Sequence, residues 1–386
     1  MNIKNNKRIG IDGRFYGPIG KGLGRYTKEI IDNILRMDSD NFYVIFLSPE
    51  NYDSFKSDNK NIKKVLVKSR WYSWAEQVIF PWQISREKLD LMHFTHFNVP
   101  ILTRVKFVVT IHDLILTRFS TKKASKLPGF YYKFKYLVYK LVISRAISKS
   151  KKIIAVSEFT KKDLEKKFKV KKDKITVIYE GISDLSLYDT KSREDDKEIL
   201  KNYNIGDMRY LLYVGNAYPH KNLEGLLDVF TKIKKDFPSL LLVLVGKNDY
   251  FYRRMQEYSK KLNLSTNDVI FSDYVPDKDL ASLYRNALAY VFPSFYEGFG
   301  LPPLEAMTYD CPVISSDQAS LPEILGDAAI YFNPYNNIDV YEKIKRVIRN
   351  KHLRRELVDK SKQIIAKYNW YASSYSTYKV YLDILK

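Results

Sequence analysis

The 386-residue chain is short of several things, and each shortage removes a class of explanation. It holds one cysteine, Cys311, so no disulfide can close within it, which fits a reducing compartment. No window reaches the roughly 18 apolar residues that a membrane-spanning helix needs. The start, MNIKNNKRIGID, is polar and passes straight into a short apolar run, without the apolar core of a signal peptide. Together these read as a soluble cytoplasmic protein. Acidic residues are also scarce, 44 Asp+Glu against 65 Lys+Arg, for a net charge of +21. The shortage is local: residues 1–186 carry a net of +19 and residues 187–386 a net of +2. A basic first half attracts anions, whether nucleic acid, anionic lipid or phosphorylated substrates. Charge and 31 tyrosines are compatible with nucleic acid, but no zinc-ligand spacing or RNP-type aromatic motif accompanies them, so no nucleic-acid partner is expected.

What the chain does have is length for two domains and 45% apolar residues, enough for a core in each. Short apolar runs alternate with amphipathic segments throughout. RIGID, NFYVIFLS, KKVLVK, DLMHFTH, KFVVTIHD, KKIIAVS and KITVIYEG occupy the first half. RYLLYVG, LLLVLVGK, DVIFSDY, AYVFPS, PVISSD and AAIYFNP occupy the second. Near-continuous runs of β-branched and aromatic residues predict strands buried on both faces of parallel sheets. The charged segment DLSLYDTKSREDDKEILKNYN reads as an inter-domain connection. The expected division is 1–186, a linker at 187–204, and 205–369. The tail 370–386 reads as a closing amphipathic helix on the spacing of Trp370, Tyr375, Tyr378, Tyr381, Leu382 and Leu385. Open α/β sheets bind ligands at the carboxyl ends of their strands, and the unusual residues lie there.

The stretch EGFGLPPLE follows the run AYVFPS and sets Glu297 and Glu305 eight positions apart. Pro302 and Pro303 suit the first turn of a helix, where a missing N–H costs nothing. Glu305 is expected in that first turn, and Glu297 in the loop before it. The N–H groups of Phe299, Gly300 and Leu301 would then point outward at a positive helix end, a ready phosphate site between two carboxylates. Carboxylates pair with hydroxyls, and sugars supply hydroxyls. The alternative is a dipole-favoured Glu305 and a solvated Glu297.

In YVGNAYPHKNLEGLL, Asn222 can cap a helix beginning at Leu223 and Lys221 sits at its positive end. A lysine there is electrostatically poor unless an anion accompanies it, or else it is a surface lysine in a lysine-rich chain. In IDGRFYGPIGKGLGRYTKEI, Gly17, Gly20, Gly22 and Gly24 let the backbone approach a ligand before a helix starts, or form a flexible turn. GKG is not a Walker A loop, and GKGLGR lacks GxGxxG. In VVTIHDL, His112 ends a buried strand, where it can meet a hydroxyl or move a proton, or serve structure alone. Asp38-Ser-Asp40 precedes a strand and reads as a turn, so no metal site is expected.

Together these pieces resemble the family 4 glycosyltransferases, retaining enzymes of the GT-B fold. EGFGLPPLE looks like their Glu-x7-Glu motif, VGNAYPHKN like their phosphate-binding loop, and FYGPIGKGLGRYTKEI like the first glycine loop of bacterial mannosyltransferase-like members. TIHD and VSEFTKKDL follow in the expected order. The resemblance implies an α/β fold of two Rossmann-like domains with parallel sheets facing across a cleft, the C-terminal helix closing back on the first. It implies Glu297 on donor-sugar hydroxyls, Glu305 on the ribose, and Gly298, Phe299, Gly300 and Leu301 offering backbone to the donor. Lys221 would hold the diphosphate beside Gly215 and Asn216, with Val275 near the base and His112 by the reacting sugar. Gly20, Lys21 and Gly22 would line the acceptor and phosphate side. Many members carry an arginine near Asn216, and an Asn-Gly where this chain has Glu180-Gly181.

The implied reaction moves a hexose from a nucleotide diphosphate sugar to an acceptor hydroxyl with retention, without a metal or further cofactor. The first loop tilts the donor towards GDP-mannose. A glycan or lipid-linked acceptor fits the basic first half. Residues 118–152 hold 11 Lys+Arg and no Asp or Glu. Within them Phe130, Phe134, Leu137, Val138 and Leu141 share one helical face, as in an element lying on an anionic membrane or in an ordinary core-facing helix. The competing enzyme reading is a sugar-nucleotide epimerase, which needs no acceptor.

Overall fold

The computed structural model describes residues 6–18, 21–118, 129–182 and 193–386. The chain divides into two compact units, Met1–Gly181 with Tyr368–Lys386, and Ile182–Lys367.

The first unit is built on seven parallel strands. They are β1 (Arg8–Asp12), β2 (Phe42–Leu47), β3 (Ile62–Leu66), β4 (Leu91–Phe94), β5 (Phe107–Ile111), β6 (Lys152–Ala155) and β7 (Ile175–Val177), in spatial order β3-β2-β1-β4-β5-β6-β7. The second unit has six: β8 (Tyr210–Val214), β9 (Leu241–Val245), β10 (Val269–Ser272), β11 (Ala289–Phe292), β12 (Val313–Ser316) and β13 (Ala329–Phe332), in order β10-β9-β8-β11-β12-β13. Every apolar run read as a strand is one. The runs are continuous because helices cover both sheet faces: every residue of β4, β5 and β9 is buried, with no solvent side to require alternation. Strand order reverses at β1/β4 and at β8/β11. Those two switch points are where an open parallel sheet leaves a crevice at its carboxyl edge.

Three local expectations change. The segment read as a linker contains a helix, Arg193–Asn202, that packs on the helix Asp277–Asn286 of the second unit. Ile199 and Leu200 are buried, and Asn286 Nδ2 donates to buried Asp196 at 3.0 Å. One apolar pair is enough to dock a short helix, and the surrounding charges hid it. The tail helix Trp370–Leu385 lies on the helix Lys21–Met37, within the first unit. Its buried side is Trp370, Ser373, Ser374, Thr377, Val380 and Tyr381, while Tyr375 and Leu382 face solvent. Small side chains let the two helices approach closely, so the contact does not follow the large apolar residues. Asp38 folds its turn as read: its Oδ1 accepts from the N–H of Asp40 at 2.9 Å and of Asn41 at 3.2 Å.

The glycine-rich stretch is the third. The helix already begins at Lys21, so Gly22 and Gly24 lie in it and not in a loop before it. A Cβ on Gly24 would sit 2.1 Å from the Gly17 carbonyl oxygen, so the helix packs against its own preceding loop there. Gly20 lies outside the described residues.

Candidate active site

In the second unit, chemistry gathers at the β8/β11 switch point. β8 ends at Val214 and runs into Gly215 and Asn216, and three buried tyrosines fix the carbonyl groups of these residues. Tyr290 OH donates to Val214 O at 3.1 Å, Tyr252 OH to Gly215 O at 2.8 Å, and Tyr213 OH to Asn216 O at 2.7 Å. Burial pushes all three phenols far above their ordinary value, so they stay donors. Asn216 Oδ1 accepts from Tyr218 N–H at 3.2 Å and closes a turn.

That turn leads into the short 3-10 segment Pro219–Lys221. Lys221 is 8% exposed, and its Nζ donates to Glu297 Oε1 at 2.6 Å; Glu297 is 7% exposed. The ammonium also stands 5.0 Å from the Phe292 ring centroid. The anion that the lysine's position calls for is thus already supplied within the unit, by a carboxylate. Asn222 occupies the cap position of the helix Leu223–Asp236, but its side chain makes no cap bond there. Its backbone is left-handed, φ 57°, which turns the side chain away, and Nδ2 donates to Pro334 O at 3.3 Å.

The loop after β11 is tied down twice. Phe295 N–H donates to His220 O at 2.8 Å, joining it to the lysine segment. Ser320 Oγ lies 3.1 Å from Glu297 O and 2.9 Å from Phe299 O, bridging both sides of Gly298. Gly300, at φ 108°, makes the left-handed step into the helix Leu301–Thr308. Because that helix starts at Leu301, Glu305 stands in its second turn and not its first. Pro302 and Pro303 bring no N–H, so among the first four helical residues only Leu301 and Leu304 can donate. Val275 follows β10, two strands from β8, roughly 10 Å along the sheet. Its side chain is buried, which leaves its backbone to meet a ligand. Gly215, Asn216, Lys221 and 297–301 therefore come together, while Val275 stands apart from them.

The first unit builds its carboxyl edge from charges. Arg14, fully buried after β1, holds Asp12 with two bonds, Nε to Oδ1 at 2.8 Å and Nη2 to Oδ2 at 2.7 Å, and Nη1 binds Glu76. Asn98 Nδ2 donates to Glu76 Oε1 at 2.7 Å, and Tyr72 N–H to its other oxygen at 2.6 Å. His93 in β4 binds Tyr381 of the tail helix through Nδ1 and Thr110 Oγ1 through Nε2, at 2.9 Å for the latter. Burial pushes His93 down to about 3, and pushes His96 well down too, with the charge of His112 adding to both.

His112 ends β5 as expected, but neither ring nitrogen is free to meet a hydroxyl. Nδ1 lies 2.8 Å from Glu180 Oε1 and Nε2 lies 3.0 Å from the backbone oxygen of Thr95. Burial acts to lower its basicity, yet the Glu180 bond and charge outweigh that and the net direction is upward. Lys21 is the first residue of its helix and Gly22 the second. Sequence reasoning left Glu180 unassigned and missed Arg14, Glu76 and Ser320. The only available signal was the pair of acidic residues placed directly after apolar runs. Among the described residues, no group of three or more His, Cys, Asp or Glu is placed to hold a metal ion.

Residues 20–184 match the family profile described as Glycosyltransferase Family 4, and residues 195–364 match that of Glycosyl transferases group 1. The chain belongs to these glycosyltransferases. It is 27% identical over 336 residues to an O-antigen chain mannosyltransferase B of Escherichia coli, covering 82% of this chain and 84% of that protein. Among solved structures, sucrose-phosphate synthase of Thermosynechococcus elongatus matches with a TM-score of 0.77 at 17% identity, over 98% of this chain and 99% of that one. HepE of Anabaena, solved with UDP and glucose, matches with a TM-score of 0.75 at 15% identity, over 98% and 100%. The fold of the glycosyltransferase is therefore GT-B, with two Rossmann-like units.

Proposed function

We propose that this glycosyltransferase moves a hexose, with mannose favoured, from a nucleotide diphosphate sugar to a hydroxyl of a glycan or lipid-linked acceptor, with retention and without a metal. The observation that carries the reading is the buried Lys221–Glu297 pair, held by two tied loops at the β8/β11 switch point. Donor entry divides the pair's two charges. Lys221 turns to the diphosphate, and Glu297 accepts from sugar hydroxyls beside Gly298, Phe299, Gly300 and Leu301. Glu305 reaches the ribose, and Gly215, Asn216 and the backbone at Val275 border the nucleotide. As the bond from C1 to phosphate oxygen breaks, the acceptor oxygen bonds C1 on the same face. The acceptor proton passes to the departing phosphate, whose growing charge Lys221 stabilises in place. Gly20, Lys21 and Gly22 belong to the acceptor side.

The mannosyltransferase relative supports the choice of sugar and a place in surface-polysaccharide assembly, and the UDP-bound neighbour supports a nucleotide donor. A thermal-shift panel of GDP-, UDP-, dTDP- and ADP-sugars on wild type and Glu305→Ala tests the reading. One nucleotide at ~100 times its Kd should add ~2.7 kcal/mol of stability, and much less in the variant. No shift with any of them would overturn it. Conversion of a donor to its epimer without acceptor would favour the epimerase instead.

The acceptor side is proposed to work at the inner face of the plasma membrane. The helix Trp74–Arg86 presents Trp74, Val78, Ile79 and Trp82 to solvent, with Trp74 77% exposed, while Glu76, Phe80, Pro81 and Ile84 face inward. In the helix Gly129–Lys149, Leu137, Val138 and Leu141 are exposed and Val142, Ile143, Ala146 and Ile147 are buried. Phe130 and Phe134 lie where side chains are not described. An apolar stripe in a basic unit suits anionic lipid. No co-sedimentation with anionic vesicles at low salt would sink this part.

A further inference from the structure

We propose that Glu180 is a positioning residue that keeps His112 as a doubly protonated imidazolium, a fixed positive charge in the first unit and not a base.

The geometry requires it. The carbonyl oxygen of Thr95 has no proton to give, so Nε2, 3.0 Å away, must carry one. Nδ1 faces a carboxylate oxygen at 2.8 Å, so one proton must lie between them. An ordinary imidazole holds a proton some two pH units more tightly than an ordinary carboxyl, which puts that proton on the ring. Both nitrogens are then N–H donors, and the ring is cationic. Glu180 is buried, so its charge is little screened.

Everything that faces the ring agrees. Asp113 beside it favours the charged form, as does the Thr95 carbonyl. Tyr26, on the helix Lys21–Met37, meets the ring edge-on with centroids 4.6 Å apart, and its buried phenol stays neutral. His96, stacked at 6.5 Å, and His93 are held neutral by burial and by the charge on His112. Three histidines thus share one positive charge at the carboxyl ends of β4 and β5. A neutral amide in place of Glu180 could not hold the second proton as firmly.

The consequence rests on the transferase reading only where rate is concerned. With His112 already protonated, no acceptor proton can pass to it. That agrees with transfer of the proton to the leaving phosphate.

The test is a titration of 15N-histidine-labelled full-length protein by NMR. There are five histidines, and His112→Gln assigns the resonance. In wild type both His112 nitrogens should report attached protons from pH 6 to pH 8. In Glu180→Gln burial is no longer outweighed, so the ring should titrate below its ordinary value and Nδ1 should have lost its proton at pH 7. An unprotonated Nδ1 in wild type at pH 7 overturns the proposal, and this arm needs no donor. In the rate arm, kcat/KM of wild type should show no ionisation between pH 6 and 8. Glu180→Gln, whose buried ring is neutral across that range, should be slower than wild type throughout it. A basic limb in wild type over that range would overturn the role of the charge.

Discussion

The two units solve one problem in two ways. Each must hold a rigid carboxyl edge at a switch point while burying it. The first unit uses ions: Asp12, Arg14, Glu76, His112 and Glu180 are paired within it, and His93 and His96 sit neutral beside them. The second uses neutral hydroxyls, with Tyr213, Tyr252 and Tyr290 on three consecutive carbonyls, and keeps a buried pair, Lys221–Glu297, where the donor is proposed to bind. A buried ion is costly when orphaned, so an ionic floor is rigid and intolerant of change. A phenol that loses its hydroxyl leaves only an unpaired carbonyl behind. The second unit therefore keeps its buried ion pair at the switch point, where the donor is proposed to bind.

That contrast can be broken most easily at Arg14. Arg14→Met orphans two buried carboxylates and should cost about 3–5 kcal/mol in urea unfolding, with the loss centred on the first unit. Converting Asp12, Arg14 and Glu76 together to apolar residues of similar volume should recover much of it. If the triple variant is no better than Arg14→Met, the network does more than satisfy its own charges.

Lys221→Met should cost about 3 kcal/mol, since Glu297 is left buried and unpaired. Glu297→Gln in the same background should restore stability without restoring nucleotide binding in the thermal-shift panel. Restored binding would remove Lys221 from the donor site.

Acid should strain both units. His93 and His220 are pushed down by burial to about 3 and about 4, with Lys221 adding to the effect on His220. Both are held neutral in the folded state, and the unfolded chain protonates near 6.5. Their stabilisation is present above 6.5 and lost as pH falls towards those values, by about 2 kcal/mol each between pH 6.5 and 5. His112 has the opposite sign. Its pKa is raised, so its contribution is fully present below 6.5 and is lost only as pH rises through the raised value. It does not offset the acid loss. His220→Gln should flatten the acid limb of a pH series of chemical denaturations, and an unchanged limb would mean that His220 charges without cost.

The smallest effects belong to the tyrosines. Tyr252→Phe, whose hydroxyl lies 2.8 Å from both Gly215 O and Val245 O, should cost about 1–2 kcal/mol. Tyr213→Phe, serving Asn216 alone, should cost less. A Tyr213→Phe loss as large as that of Arg14→Met would erase the distinction between the units.

The strands were legible because parallel sheets buried on both faces demand unbroken apolar runs, and LLLVLV or FVVTI can be little else. The loop after β11 was legible as the entry to a helix because Gly300, Pro302 and Pro303 mark it. Its second carboxylate was placed one turn too early, since helix boundaries depend on where the backbone can turn, here at Gly300. The helix at Arg193–Asn202 was hidden because two apolar residues among charges carry almost no periodic signal. The tail helix was read correctly as an element, and its apolar face wrongly only at Tyr375 and Leu382, because close approach through serines and threonine takes the place of part of the usual apolar stripe.

The sequence by itself therefore determined the two α/β halves, the uneven charge and the loops that follow the strands, all of which follow from local pattern and composition. Only the tertiary structure decided the partners. Arg14 with Glu76, Lys221 with Glu297 and His112 with Glu180 lie 62, 76 and 68 residues apart. Charge at a distance leaves no periodic trace along a chain. The proton on His112 depends on two acceptors that meet it only when β4, β5 and β7 have taken their places in one sheet.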